Sequence, residues 1–362
     1  MKSPNHKSQI TNKFPISNHK RNLKLEFWIY FGFWILIFGF NPAFAQTLFD
    51  PLTVGIGARA LGMGKAVTAV SDGSDMVFNN PAALGEVDQF RFTSMSGRLM
   101  EDVEYISLGG IFPLGQQSAL GFGFTNAAVT EIEIRNYRGT LLQKANFGNG
   151  LFLAGWGKKI SEQISFGVNL KYYFVDATEI DSGDGGGWNL DLALLKKGDG
   201  WFNLGIVAQN LIDSSPLIFQ NGEKEKLPTK IKLGSLFHIA GQHFNSAYYA
   251  PFELQTALDL EWGIQHSDPL LFHGGVEFSP LFPLSLRLGF DQTATPIGIQ
   301  SHACAGIGLR VAGIGFDYAY YPQGDPSDSV SHFFSLTFDE RGWPPEPSND
   351  ILLGKQGSSL IL

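Results

Sequence analysis

From about Gln89 to Phe338 the chain alternates apolar and polar residues, in blocks of roughly ten separated by turn residues. Ile164, Phe166, Val168, Leu170, Tyr172 and Phe174 share one side of an extended strand, with Ser165, Gly167, Asn169, Lys171 and Tyr173 on the other. The split returns in Leu284, Leu286, Leu288 and Phe290 against Ser285, Arg287, Gly289 and Asp291, and in Ile314, Phe316, Tyr318 and Tyr320 against Gly315, Asp317 and Ala319. A helical period would scatter these positions around a cylinder, so helix is excluded. The pattern predicts strands at 89–97, 103–113, 118–127, 147–159, 164–176, 187–196, 200–211, 229–239, 252–263, 269–279, 282–292, 300–311, 312–321 and 329–338.

A soluble sandwich also alternates, and the links separate it from a barrel. Links after even-numbered strands are mostly tight: Leu114 to Gln117, Ser161 to Gln163, Lys197 to Asp199, Pro280 to Leu281, and a turn at Ala312. Those after odd-numbered strands are mostly long: Asn126 to Asn146, Ala177 to Gly186, Ile212 to Pro228, Thr293 to Ile299 and Pro322 to Asp328. Gly241 to Pro251 is the exception, and Gly263 to Asp268 a weaker one. Short turns on one rim and long loops on the other describe an antiparallel transmembrane β-barrel of about 14 strands. Aromatic residues near strand ends (Phe112, Trp188, Trp201, Trp262, Tyr320, Tyr321, Phe338) fit two interfacial girdles.

The amino terminus carries Lys13, Lys20, Arg21 and Lys24, then the apolar run Phe27 to Phe40, then Ala43-Phe44-Ala45. That order predicts a signal peptide over 1–45, cut near Ala45, and export to the bacterial outer membrane. The formal charge of the chain is -8; residues 1–45 carry +5, so the rest stands at -13. An acidic chain with no basic run excludes nucleic acid as a partner. Glycine, at 43 of 362 residues, is well above its usual share of about 7%. Inward-register glycines at 121, 123, 167, 289, 306, 308 and 315 make room for something inside the barrel. Cys304, the only cysteine, falls in the same inward register beside His302 and Arg310.

Residues 46–88 do not alternate. They include Gly57-Ala58-Arg59-Ala60-Leu61-Gly62-Met63-Gly64-Lys65, then Ala66 to Val70, Asp72, and Asn80-Pro81-Ala82. Small residues with a short helix stopping before Pro81, capped by Asp72 or Ser74, predict a plug inside a barrel at 89–338. Residues 339–362 are then a periplasmic tail. This signature, with Gly57, Arg59, Gly62, Gly64, Asp72, Asn80 and Pro81, resembles that of the PorV/PorQ proteins within the FadL-like outer-membrane barrels. The likeness continues in Leu227 to Gly234, Leu286 to Phe290, Gly306 to Arg310, Phe316 to Tyr320 and His332 to Leu336. Lys65 and Ala83 depart from it, standing where glycine is usual.

Gly62-x-Gly64-Lys65 is no phosphate loop, because Arg59 and Ala66 occupy the positions of its glycine and hydroxyl residue. Asp181 to Gly187 lacks the spacing of a calcium loop. The inward registers collect Glu253, Asp259, Glu261, His273, Glu277, Arg287, Asp291, Arg310 and Asp317. These are expected to form lumen salt bridges that pin the plug, with Arg59 as the plug's own partner, rather than a catalytic site. No cofactor or metal is expected. Leu217, Ile218 and Phe219, on a long outer loop, are a candidate docking surface or mouth-packing group. The PorV/PorQ resemblance implies a non-enzymatic role in protein export or surface presentation of the type IX secretion kind, with secretion components or exported cargo as partners besides lipid. The FadL resemblance implies the alternative, passive transport of a hydrophobic ligand. A contiguous apolar lumen beside the plug would favour transport; the inward positions read mostly as polar or glycine, which leans toward export.

Overall fold

Strand alternation closes on itself. The computed structural model describes residues 50–99, 102–177, 183–198, 200–212, 217–241, 252–264, 269–281, 283–295, 298–322 and 330–340. The signal peptide, the tail beyond 340 and residues 181–182 of the calcium-loop comparison lie outside them.

The first seven strands are β1 (Arg91–Leu99), β2 (Val103–Pro113), β3 (Ser118–Arg135), β4 (Leu141–Lys159), β5 (Ile164–Asp176), β6 (Gly185–Lys197) and β7 (Phe202–Gln209). A small hairpin follows, β8 (Leu217–Phe219) and β9 (Lys224–Glu225). The rest are β10 (Lys230–Ala240), β11 (Glu253–Gly263), β12 (Leu271–Leu281), β13 (Leu284–Thr295), β14 (Gly298–Val311), β15 (Ile314–Pro322) and β16 (Val330–Asp339). Neighbours pair antiparallel, β7 joins β10, and β1 joins β16 from Arg91↔Asp339 to Gly97↔Phe333. The hairpin aside, this is a closed 14-strand barrel with no free edge along the ring.

Each long strand sends alternate residues outward, as β5 shows in its burial pattern. Phe122, Phe152, Leu170, Leu258, Leu288, Phe316 and Phe334 all lie exposed on the outer wall. A sandwich would bury that face against a second sheet; here nothing but a hydrocarbon solvent satisfies it. Phe112, Trp188, Trp201, Trp262, Tyr320 and Phe338 are exposed near strand ends, as girdle residues should be. Tyr321 is not one of them: it is 4% exposed and turns inward, because it follows Tyr320 on the opposite face.

Two segments depart from the expected strands. Residues 126–146, expected as a loop, extend β3 and β4 into a ribbon, and β8–β9 appear within the link 212–228. A bulge between Val129 and Ile132, with Glu131 at φ 59°, reverses the phase of alternation, so the ribbon no longer continues the pattern that marks β3.

Residues 50–88 form a 3-10 turn (Pro51–Val54), α1 (Ala58–Gly62), α2 (Met76–Asn79) and a second 3-10 turn (Pro81–Glu86). Asp50 and Asn80 cap the two 3-10 turns through Leu52 N and Ala82 N, both at 2.9 Å. α2 starts after Asp75, so neither Asp72 nor Ser74 is its cap. The segment touches inward faces around most of the ring: α1 lies on β13 to β16, α2 on β2 and β3, and the second 3-10 turn on β3 to β6. It therefore lies inside the barrel. Glycines on both partners permit the approach. A Cβ at Gly62 would lie 3.1 Å from Gly306 Cα, and one at Gly306 would lie 3.2 Å from Gly62 Cα. A Cβ at Gly167 would overlap the Pro81 carbonyl, and one at Gly289 the Gly64 amide. Gly121 and Gly123 make the same room for Val77 and Phe78; Gly308 and Gly315 instead accommodate the side chains of Arg287, Asp317, Arg310 and Thr337. Fully buried side chains such as Leu61 and Leu84 contribute about 1.5–3 kcal/mol each to holding the segment.

Candidate functional site in the barrel lumen

The lumen carries most of its ion pairs on β10 to β16, while β2 to β7 carry an apolar cluster beside one fully buried ion pair, Lys171 with Asp191. On the β10 to β16 flank α1 aims Arg59 at the wall. Its Nε and Nη2 donate to the two oxygens of Glu277, both at 2.9 Å, while Nη1 donates to Asp72 at 2.9 Å. Glu277 also accepts from Arg287 and Gln255; Arg287 reaches Asp317 at 2.7 Å, and Arg310 reaches the same carboxylate at 2.8 Å. Three guanidiniums thus meet three carboxylates, and this balance is what makes burying them tolerable. Desolvation works against the Arg59 charge, but Asp72 and Glu277 outweigh it and hold its pKa well above the ordinary value. Burial raises Asp72 less than Arg59 lowers it, leaving it at about 2. Asp75 sits against Gly57 and Gly73; burial pushes it up to about 6, with Arg59 only partly offsetting the rise.

Farther along the flank, Lys65 places Nζ 2.9 Å from Asp291, 3.1 Å from the Thr53 carbonyl and 5.3 Å from the centre of the Tyr321 ring. Asp291 also meets His273 Nδ1 at 2.6 Å and accepts from Tyr321 Oη. Asp259 Oδ2 accepts from the amides of Val67 (3.0 Å) and Thr68 (2.8 Å). Glu261 takes Lys230 and Lys232, at 2.8 and 3.0 Å. Glu253 stands exposed at the start of β11. Asn80 Nδ2 donates to the Thr68 carbonyl, tying two turns of the segment together, and Pro81 packs on Gly157 and Gly167.

Three further polar contacts carry no motif, and the one made by Glu86 ties the segment to the wall. Lys171 and Asp191 form a buried pair at 2.7 Å with Asn210 Oδ1 2.6 Å from the ammonium. Tyr173 Oη donates to the same Asn210 oxygen at 3.2 Å. Glu86 takes Lys197 at 3.0 Å and the Ser165 hydroxyl. Lys171 was detectable: a lysine in the inward register of a strand must find an anion.

The apolar cluster is continuous. It runs from Leu217 and Leu227, with Phe219 against them, through Tyr173, Val207, Leu195 and Leu151 to Val77, Phe78 and Leu84 of the segment. Inward positions here are polar or glycine in the majority, with Leu151, Leu153, Leu195 and Val207 among them packing into a buried core. Leu217 is 1% exposed, whereas Ile218 points away at 53%. Cys304 is buried among Met95, Ala319 and Phe333. Among the described residues no group of three or more His, Cys, Asp or Glu is arranged to hold a metal ion.

No family model matches the chain, and no curated protein matches it. Solved structures do. The toluene transporter TodX of Pseudomonas putida is 13% identical and covers 79% of this chain and 97% of its own, at a TM-score of 0.53. The monoaromatic hydrocarbon channel CymD, also 13% identical, covers 81% and 99%, at 0.53. The chain shares the barrel fold of these two structures. A Pseudomonas aeruginosa FadL homologue aligns at 11% identity over 77% of this chain and 98% of its own, with a TM-score of 0.47.

Proposed function

We propose that this protein is a passive channel for hydrophobic small molecules, with residues 50–88 as the plug that closes it. The apolar cluster carries the reading: it links the β8–β9 hairpin at the long-loop rim to the lumen segment. The structural neighbours, described as hydrocarbon channels and transporters, support it through the fold. Lumen charges serve as anchors for the plug, and no catalytic role is part of the reading. The export and surface-presentation role implied by the PorV/PorQ resemblance is the rival, and the apolar cluster speaks for transport instead.

Uptake of labelled toluene by cells lacking their own hydrophobic channels tests this, with glucose as control. The chain should speed toluene entry, and Leu217→Asp with Leu227→Asp should remove most of that gain while leaving glucose unchanged. Toluene entry no faster than in cells without the protein would reject the channel, and co-purification of exported cargo with the inactive chain would favour the rival.

A further inference from the structure

The β3–β4 ribbon leaves the barrel. The β2–β3 ladder ends at Glu104↔Ala128, and the β4–β5 ladder ends at Gly148↔Asp176. Beyond these, Val129–Arg135 and Leu141–Phe147 pair only with each other among the described residues, as in Ile132↔Ala145 and Ile134↔Gln143. Seven residues per strand project about 20 Å past the ladders. On the β2 side, the β3 edge has no strand beside it among the described residues. The edge lacks the proline and lysine that commonly blunt such edges, reading Val129-Thr130-Glu131-Ile132-Glu133-Ile134-Arg135.

A groove of about 510 Å³ runs along this edge, in line with the end of β2. Its walls carry the carboxylates of Asp102, Glu104, Glu131 and Glu133 and one guanidinium, Arg98. Arg98 lies 3.6 Å from Glu104, Lys144 lies 3.2 Å from Glu131, and Arg135 meets Glu133. All six of these side chains are 44% exposed or more. Such surface pairs are worth about 0–1 kcal/mol and yield readily to a competing cation. Past the bulge, Ile132 and Ile134 share one face of the ribbon with Glu133 in the register between them, and Glu131 at the bulge lines the groove with Glu133.

We propose that the β3 edge of this ribbon is a strand-addition site for a basic, extended peptide segment of a partner protein. The segment continues the sheet where β2 stops. Its main chain bonds to β3, its cations face Glu131 and Glu133, and its apolar residues, alternating with them, cover Ile132 and Ile134. This site is independent of the channel reading, since it lies outside the barrel ring.

The test uses the full chain in detergent micelles and a fluorescein-labelled ten-residue peptide alternating lysine and valine, read by fluorescence anisotropy. The peptide should bind at least about tenfold more tightly than its glutamate–valine counterpart, and N-methylation at alternate residues should cost at least about tenfold. Glu131→Lys with Glu133→Lys should reverse the preference. Replacing residues 130–146 by a short turn, which leaves the barrel ladders intact, should abolish binding. Equal binding of the N-methylated peptide, an unreversed preference, or binding that survives the deletion would each overturn the proposal.

Discussion

Lys65 reaches the fully buried Asp291 at 2.9 Å from a left-handed backbone position, φ 63°, where the resembled signature has glycine. The ion pair holds a lysine in a conformation that costs about 1–2 kcal/mol. Lys65→Met should strip Asp291 of its cation and destabilise the segment by about 3–5 kcal/mol; Lys65→Gly should lose about 1 kcal/mol less, because it also relaxes the backbone. Hydrogen exchange of the amides near Met63 measures both. Unchanged protection in Lys65→Met would mean that His273 and Tyr321 suffice for Asp291.

Arg59 and Glu277 form a two-toothed pair between segment and wall. A double-mutant cycle with Arg59→Ala and Glu277→Ala should give a coupling energy of about 1–3 kcal/mol in segment protection. The charge swap Arg59→Glu should expose the segment to exchange while the barrel still resists heat in detergent. A swapped chain whose segment exchanges like the parent would leave the pair without a pinning role.

Asp75 titrates at about 6 in the folded chain against an ordinary 3.8. The folded state therefore keeps a proton between pH 4 and 6 that the unfolded state gives up, so this group lowers stability as pH rises through that window. Asp75→Asn should stabilise the segment by about 1–3 kcal/mol at pH 7.5 and by nothing at pH 3.5. Asp72 runs the other way: lowered to about 2, its stabilising contribution is present above pH 4 and lost as pH falls toward 2, and its 49% exposure keeps that contribution small. Thermal melts of Asp75→Asn and Asp72→Asn across pH 2–8 separate the opposite slopes.

Gly167→Val should push Pro81 off the β5 wall, since even a Cβ there overlaps its carbonyl. The barrel should still assemble, because the substitution leaves the β4–β5 and β5–β6 ladders their backbone groups. Protease cleavage within 71–80 should accelerate about tenfold or more. An unaltered cleavage rate would show that the wall yields instead.

Strand positions were legible because lipid outside and a filled interior impose a period of two on every strand; β2 and β5 run over the expected 103–113 and 164–176. The 126–146 ribbon escaped because the bulge at Glu131 breaks the phase, and β8–β9 because three residues are too few to show one. The charges at 59, 277, 287, 291 and 317 could be assigned to the interior by register, yet their partners could not: pairing across the lumen depends on how the strands stagger. Apolar inward residues such as Leu151, Leu195 and Val207 were passed over because the inward register was weighed by its polar and glycine majority, when a filled lumen also needs a core.

Gly62 against Gly306 and Gly64 against Gly289 leave less than the thickness of a methyl group between segment and wall. That side behaves as a door jamb. Gly157 and Gly167 close on Pro81 just as tightly across the lumen, a second jamb, so on the channel reading a guest gains clearance only once the segment itself shifts.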